Sequence, residues 1–258
     1  MLNFSADAIK NELGASAEAF DIELYESLGS TNELAKERAQ KGAREGLVVL
    51  ALSQSAGRGR LGRGFFSPGG GLYMSLLLRP KSAAGGLLLT SAAAVAACRA
   101  IDALGLSGTR IKWVNDILLE GKKVCGILCE AAFKDGAPQY AVLGLGVNLI
   151  EPPGGFPEEI KDIAGALFEN EQKGAREKLA AGFLKSFWEI YSSLPERGFV
   201  EEYRARSAVT GKTLRVISPE GERRATALDI DDDCRLLVRL EDGSLETLSS
   251  GEISLRLL

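Results

Sequence analysis

The stretch Ala56-Gly57-Arg58-Gly59-Arg60-Leu61-Gly62-Arg63 constrains the fold more than any other. It places three glycines and three arginines in seven residues. So many glycines disfavour a helix or a strand interior, because each costs about 0.5–1 kcal/mol there relative to alanine. Guanidiniums crowded on so pliant a backbone repel one another unless an anion draws them together. The planar arginine fork fits a carboxylate or phosphate bidentately. The segment is therefore expected to be a loop that grips an anion and is mobile until a ligand orders it. A solvated basic loop is the competing reading of this segment alone.

Gly57, Gly59 and Gly62 also spell G-x-G-x-x-G. The dinucleotide fingerprint needs a helix immediately after it and an acidic residue about 20 positions on. Phe65-Phe66-Ser67-Pro68-Gly69-Gly70-Gly71 cannot begin a helix, and no Asp or Glu lies near Ser82. A Rossmann fold is excluded on those grounds. Gly211-Lys212-Thr213 resembles the end of a Walker loop, but Arg206 stands where its first glycine belongs.

The chain has 258 residues, room for one large domain and a small one. Its net charge of −4 argues against a general nucleic-acid binder. It has no histidine, which removes Ser-His-Asp and Cys-His catalysis and imidazole metal ligation. The four cysteines have no zinc spacing, and no metal ligands are expected from the side chains. Cys125 and Cys129 stand on one face of a strand, with Cys98 and Cys234 far off in sequence. Buried reduced thiols suit a cytoplasmic protein. Met1 to Lys10 lacks a signal-peptide pattern, and Leu87 to Cys98 is too short to span a bilayer. No membrane partner is expected.

Periodicity gives the order of elements. Residues 1 to about 20 are weakly helical, and Leu24, Tyr25 and Leu28 suggest a strand. Ser30 and Glu33 have capping-box spacing ahead of a helix that ends near Gly42. Leu47 to Leu52 and Leu72 to Leu78 read as strands flanking the arginine loop, and Leu87 to Leu104 as an Ala-rich core helix. From Thr109 to Ile150 the pattern is antiparallel sheet, with a hairpin turn at Glu120-Gly121-Lys122-Lys123. Gly126, Gly144 and Gly146 imply close approach either by a ligand or by a packed helix. Helices follow, one with a core stripe of Leu179, Phe183, Phe187, Ile190, Tyr191 and Leu194. About five short strands after Val209 predict a small separate β-barrel. The expected domains are residues 1–208 and 209–258.

Ile111-Lys112-Trp113-Val114-Asn115-Asp116 sets a lysine among apolar strand residues. A partly desolvated lysine needs a negative partner, either Asp116 or a ligand carboxylate or phosphate.

Taken with Ser30-Thr31-Asn32, with Gln54 through Arg63 and with Lys112 to Asp116, the chain resembles the biotin–protein ligases. Lys123 to Glu130, Gly144-Leu145-Gly146-Val147-Asn148 and the closing Gly251-Glu252-Ile253-Ser254-Leu255-Arg256 extend the likeness. The resemblance implies an α+β fold: a mixed, largely antiparallel sheet with flanking helices, of the class II synthetase-like type, plus a small SH3-like barrel. It implies that biotin attacks the α-phosphate of Mg-ATP, giving biotinyl-5′-AMP and pyrophosphate. Biotin then passes to a lysine of the biotin carboxyl carrier protein of acetyl-CoA carboxylase. ATP, Mg2+ and biotin are the implied ligands, and monomer and homodimer both stay open.

By the same resemblance Lys112 bridges the biotin carboxylate and the α-phosphate, with Arg58 and Arg60 orienting both. Ser30, Thr31, Asn32 and Gln54 hold the biotin, and Gly59, Gly126 and Gly144 line its pocket. Arg60, Arg63, Lys112, Asn115 and Asn148 face ATP, Asn148 at the adenine. Val114 replaces the family's usual proline, freeing a φ angle and adding an N–H. Leu61 stands where many members carry another basic residue. Fewer than about 25 residues precede the first expected strand, too few for the winged helix-turn-helix of about sixty residues in repressor members. An enzyme without DNA binding is expected. The rivals are a lipoate or octanoate ligase of the sister family, a non-catalytic biotin or nucleotide sensor, and a nucleic-acid module.

Overall fold

The computed structural model describes residues 4–81, 86–218, 221–249 and 254–257. Gly251, Glu252 and Ile253 of the closing motif, and part of the Ser218 to Gly221 turn, lie outside the described residues. A seven-stranded sheet organises most of the chain, in the order β1-β2-β3-β7-β6-β5-β4. Its strands are β1 (Asp21–Tyr25), β2 (Leu47–Ala51), β3 (Gly71–Leu78), β4 (Arg110–Lys112), β5 (Asp116–Leu119), β6 (Lys122–Lys134) and β7 (Ala137–Asn148). Only β1 and β2 pair in parallel; the other five pairings are antiparallel. The mixed, largely antiparallel sheet matches the expectation from sequence.

Both faces of the sheet are covered, which is why every residue of β2 and β3 is buried rather than every second one. On one face Leu72, Met74, Leu76 and Leu78 join the main core with helices α3 (Gly86–Asp102) and α4 (Ala175–Ser192). The alanines of α3 allow close approach, and a Cβ on Gly182 of α4 would stand 3.5 Å from that of Ala100. The stripe from Leu179 to Leu194 belongs to this core. The shorter helix α1 (Ala6–Leu13) packs against α4. On the other face α2 (Thr31–Gln40) packs Ala35 and Ala39 on Leu47, Val49, Leu77 and Val142.

The capping box does not form. Ser30 is the N-cap residue of α2, but its side chain makes no capping bond. Glu33 pairs with Lys36 at 3.0 Å instead. Gly42 follows the helix end at φ +89°, donating its N–H to Ala39 O.

After α5 (Val200–Ala205), strands β8 (Thr213–Ser218), β9 (Gly221–Ile230), β10 (Leu236–Leu240), β11 (Leu245–Leu248) and β12 (Ser254–Leu257) form a second sheet. Its order is β11-β10-β9-β8-β12, and it is open. This corrects the expected SH3-like barrel. Closure requires the edge strands to pair with each other. Among the described residues β11 bonds only β10 and β12 only β8, each through four residues. The second sheet packs Leu214, Val216, Leu236 and Val238 into the main core. The connecting residues run along edge strand β4, with Ile111 N–H donating to Arg206 O and Ala208 N–H to Ile111 O, both at 2.8 Å.

Candidate active site

The start of α2, the loop from Arg58 to Phe65, the turn from Lys112 to Asp116 and parts of β6 and β7 enclose a cavity of about 660 Å³. One end is a buried polar cluster. Gln54 Oε1 accepts from Thr31 N at 2.8 Å and lies 3.0 Å from Thr31 Oγ1, while Gln54 Nε2 donates to Ser67 Oγ at 3.0 Å. Ser75, fully buried, sets its hydroxyl 2.8 Å from Thr31 Oγ1 and 2.5 Å from Asn32 Oδ1. Asn32 Nδ2 donates to Glu130 Oε2 at 2.8 Å. A cluster of this kind in an apolar sheet is tolerated because its members satisfy one another. It offers donors and acceptors to a ligand that has both. A Cβ on Gly144 would fall 2.3 Å from Asn32 Oδ1, so glycine is what admits Asn32 to the strand surface.

The middle of the cavity is aromatic. Gly126 and Gly146 are cross-strand partners. Cβ atoms there would fall 2.8 and 2.5 Å from the Phe65 ring, which lies on both. Phe65 meets Tyr73 edge-on at 6.4 Å, and Tyr73 OH donates to Pro68 O at 2.8 Å. Gly126 and Gly146 thus receive an aromatic ring, and Gly144 the amide of Asn32 at the start of helix α2.

The far end is charged. Lys123 Nζ lies 2.6 Å from Asp116 Oδ1 and 5.6 Å above the Phe65 ring. Arg60 Nη1 donates to Asn115 Oδ1 at 3.2 Å, and Asn115 Nδ2 donates to Ile127 O at 3.0 Å. Burial pulls the Arg60 pKa down; Asp116 opposes this and Arg63 adds to it. A guanidinium keeps its proton even so, which leaves a poorly solvated cation facing the cavity. Arg58 is turned aside: it bonds Glu33, and its Nη2 stands 3.9 Å from Glu130 Oε1. A hydrogen bond from Lys36, with the charges of Lys36 and Arg58, holds the Glu33 carboxyl below its usual range against the effect of burial.

Ser30, Thr31, Asn32, Gln54, Arg58, Gly59, Arg60, Arg63, Lys112, Asn115, Gly126 and Gly144 all border this one cavity. Asn148 does not; its amide donates to Gly165 O at 2.9 Å, holding the segment after β7. Lys123, Phe65 and Ser75 were not singled out from the sequence, whereas Asp116, offered there as a partner for Lys112, pairs with Lys123. Lys123 was hidden by a β-bulge. Cys125 faces Ile117 and Lys123 faces Leu118, so Val124 is the extra residue on β6. The bulge turns Lys123 toward Gly126, and a Cβ there would stand 3.3 Å from Nζ.

Two family models match the chain: the Biotin/lipoate A/B protein ligase family over residues 24–148 and the Biotin protein ligase C terminal domain over residues 209–256. The chain is 35% identical to the bifunctional ligase/repressor BirA of Bacillus subtilis over 237 residues, 90% of this chain and 73% of that protein. The chain belongs to the biotin protein ligase family. It is also 32% identical to the biotin--[acetyl-CoA-carboxylase] ligase of Mycobacterium tuberculosis over 256 residues, 93% of this chain and 91% of that one. Among solved structures it is similar to the biotin protein ligase of Aquifex aeolicus in complex with biotin and ATP. That match has a TM-score of 0.80 at 27% identity, covering 92% of this chain and 99% of that one. In this family member the two matched segments correspond to the cavity-bearing sheet and to the second, open sheet.

Proposed function

We propose that the protein is an ATP-dependent biotin–protein ligase. The observation that carries this is one cavity with a hydrogen-bonding cluster at one end and Lys112, Lys123 and Arg60 at the other. The ureido ring of biotin has N–H donors and a carbonyl acceptor, which Asn32, Thr31, Ser30 and Gln54 complement. The biotin ring and its chain then run past the Phe65 ring, and the carboxylate arrives at the cations.

In the first half-reaction a carboxylate oxygen of biotin attacks the α-phosphorus of ATP. The bond to the β-phosphate breaks and pyrophosphate leaves. Two anions must meet, so fixed positive charge in a site sheltered from water is what lowers the barrier. We assign that work to Lys112, Lys123 and Arg60, with Arg58 and Arg63 joining from the loop. Magnesium enters with the triphosphate as part of the substrate. A carboxylate nucleophile needs no general base, which is consistent with a chain without histidine. In the second half-reaction the acceptor lysine, its ammonium having lost a proton, attacks the anhydride carbonyl and AMP leaves. Closure of the 56–63 loop over the adenylate keeps water from that bond.

The acceptor we assign is the biotin carboxyl carrier protein of acetyl-CoA carboxylase, in the cytoplasm. No helix among the described residues is long and apolar enough to cross a membrane. We assign residues 1–208 to the catalytic domain and 209–258 to a smaller C-terminal unit. Biotin-dependent ATP–pyrophosphate exchange tests the reading, with lipoate and octanoate as controls. Exchange with lipoate or octanoate in place of biotin would move the protein to the sister family.

A further inference from the structure

The turn that brings Lys112, Asn115 and Asp116 to the cavity is held from behind by the second sheet. Trp113, 4% exposed, donates its indole Nε1–H to Cys234 O at 2.9 Å in a buried bond. The next carbonyl, Val114 O, accepts from Tyr203 OH at 3.3 Å. Cys234 adopts φ +59°, a left-handed conformation that a residue with a side chain takes only where its surroundings fix it.

Asp231 does the fixing. Its Oδ1 accepts from the N–H groups of Asp233 at 3.0 Å and Arg235 at 2.8 Å, and its Oδ2 from Arg235 Nε at 2.7 Å. Cys234 N–H donates back to Asp231 O at 2.9 Å. α5 grips the same turn, through Arg204 Nε to Ile230 O and Arg204 Nη2 to Asp232 Oδ1, both at 2.5 Å. No residue of 231–235 borders the cavity.

We propose that Trp113 is a positioning residue and that the turn built by Asp231 is its anchor, so that the second sheet sets the placement of Lys112, Asn115 and Asp116 for the nucleotide half of the reaction. This rests on the ligase reading above. A displacement of about 1 Å at such groups costs up to about a hundredfold in rate. Among the described residues the polar cluster at the start of α2 shares no hydrogen bond with this turn, so the effect falls on the charged end of the cavity, where the phosphates sit, and spares the ureido contacts that hold biotin.

The test is biotin-dependent ATP–pyrophosphate exchange by the full chain. It compares the parent with Asp231→Ala, Asp231→Asn, Trp113→Phe and the Asp231→Ala, Trp113→Phe double variant. Asp231→Ala and Trp113→Phe are each expected to lower kcat/KM for ATP by about tenfold, with KM for biotin within about twofold of the parent. Asp231→Asn keeps the Oδ1 acceptor and restores the ATP parameters. The double variant is no worse than Trp113→Phe alone, because both changes break one connection. A purely structural role predicts a lower urea midpoint with kcat and both KM values unchanged per folded molecule, and that result overturns the inference. Additive losses in the double variant overturn it as well. Trp113 itself borders the cavity, so should Asp231→Ala not fold, Arg204→Ala, which removes the hold of α5 on the same turn from outside the cavity, is read for the same ATP-against-biotin split. An active parent with insensitive variants refutes this inference alone, whereas an inactive parent refutes the ligase reading with it.

Discussion

Gly144 and Lys123 are the residues at which the account is most exposed. An alanine at 144 places its Cβ where Asn32 Oδ1 now stands, 2.3 Å away. Asn32 cannot yield freely, being bonded to Glu130 and in contact with buried Ser75. Gly144→Ala is expected to cost about 1–3 kcal/mol at this spot. It should appear in calorimetry as biotin binding weakened about tenfold or more, with ATP binding intact. Lys123→Met removes the cation beside Asp116 and leaves a carboxylate facing the incoming phosphates. Its adenylation kcat is expected to fall by about 10²-fold or more, as when one preorganised charge donor is lost; retention of parental exchange would remove Lys123 from the reaction. The residues we assign to biotin border one cavity, and they were picked out in the sequence because the Ser30 to Asn32 and Gln54 to Arg63 stretches keep the family's order. Lys123 was not singled out because strict alternation along β6 points it at the core, and only the bulge at Val124 turns it into the cavity.

Single elements place these residues, and they also carry buried thiols that report on packing. Burial pushes the Cys98 thiol of α3 up to about 11, against a bond with Thr109 that lowers it, and the Cys234 thiol up to about 11 as well. Each folded value lies above the ordinary 9.0. The protonated form is therefore favoured in the folded protein. Its contribution to stability is complete below pH 9 and is lost as pH rises toward about 11. The urea midpoint is expected to decline across that window. A Cys98→Ala, Cys234→Ala protein, less stable throughout, should decline less. Leu61, 48% exposed at φ +57°, is a second handle on an element. Leu61→Gly is expected to stabilise the 56–63 loop by about 1 kcal/mol, read as a higher denaturant midpoint with exchange activity retained. Strand and helix order was readable from hydrophobic period. The capping box was not, since Glu33 is drawn to Lys36 and Arg58, partners that its spacing from Ser30 does not reveal.

At the scale of the molecule, the sheet that holds the cavity and the open sheet that follows share one core. Five short strands were visible in the sequence as a change of texture after Val209. Whether such strands close depends on where the edges lie, and strand spacing alone does not fix that. Here β11 and β12 finish on opposite edges. The Asp231 turn between β9 and β10 holds Trp113, which links the two sheets at the point where the cations stand. The central claim is that this one cavity activates biotin with ATP. It is tested most directly by incubating the purified chain with Mg-ATP, labelled pyrophosphate and one acid at a time. The account predicts label entering ATP with biotin, none with lipoate or octanoate, and loss of the signal in Lys123→Met. No exchange with biotin, or exchange that survives Lys123→Met undiminished, would contradict it.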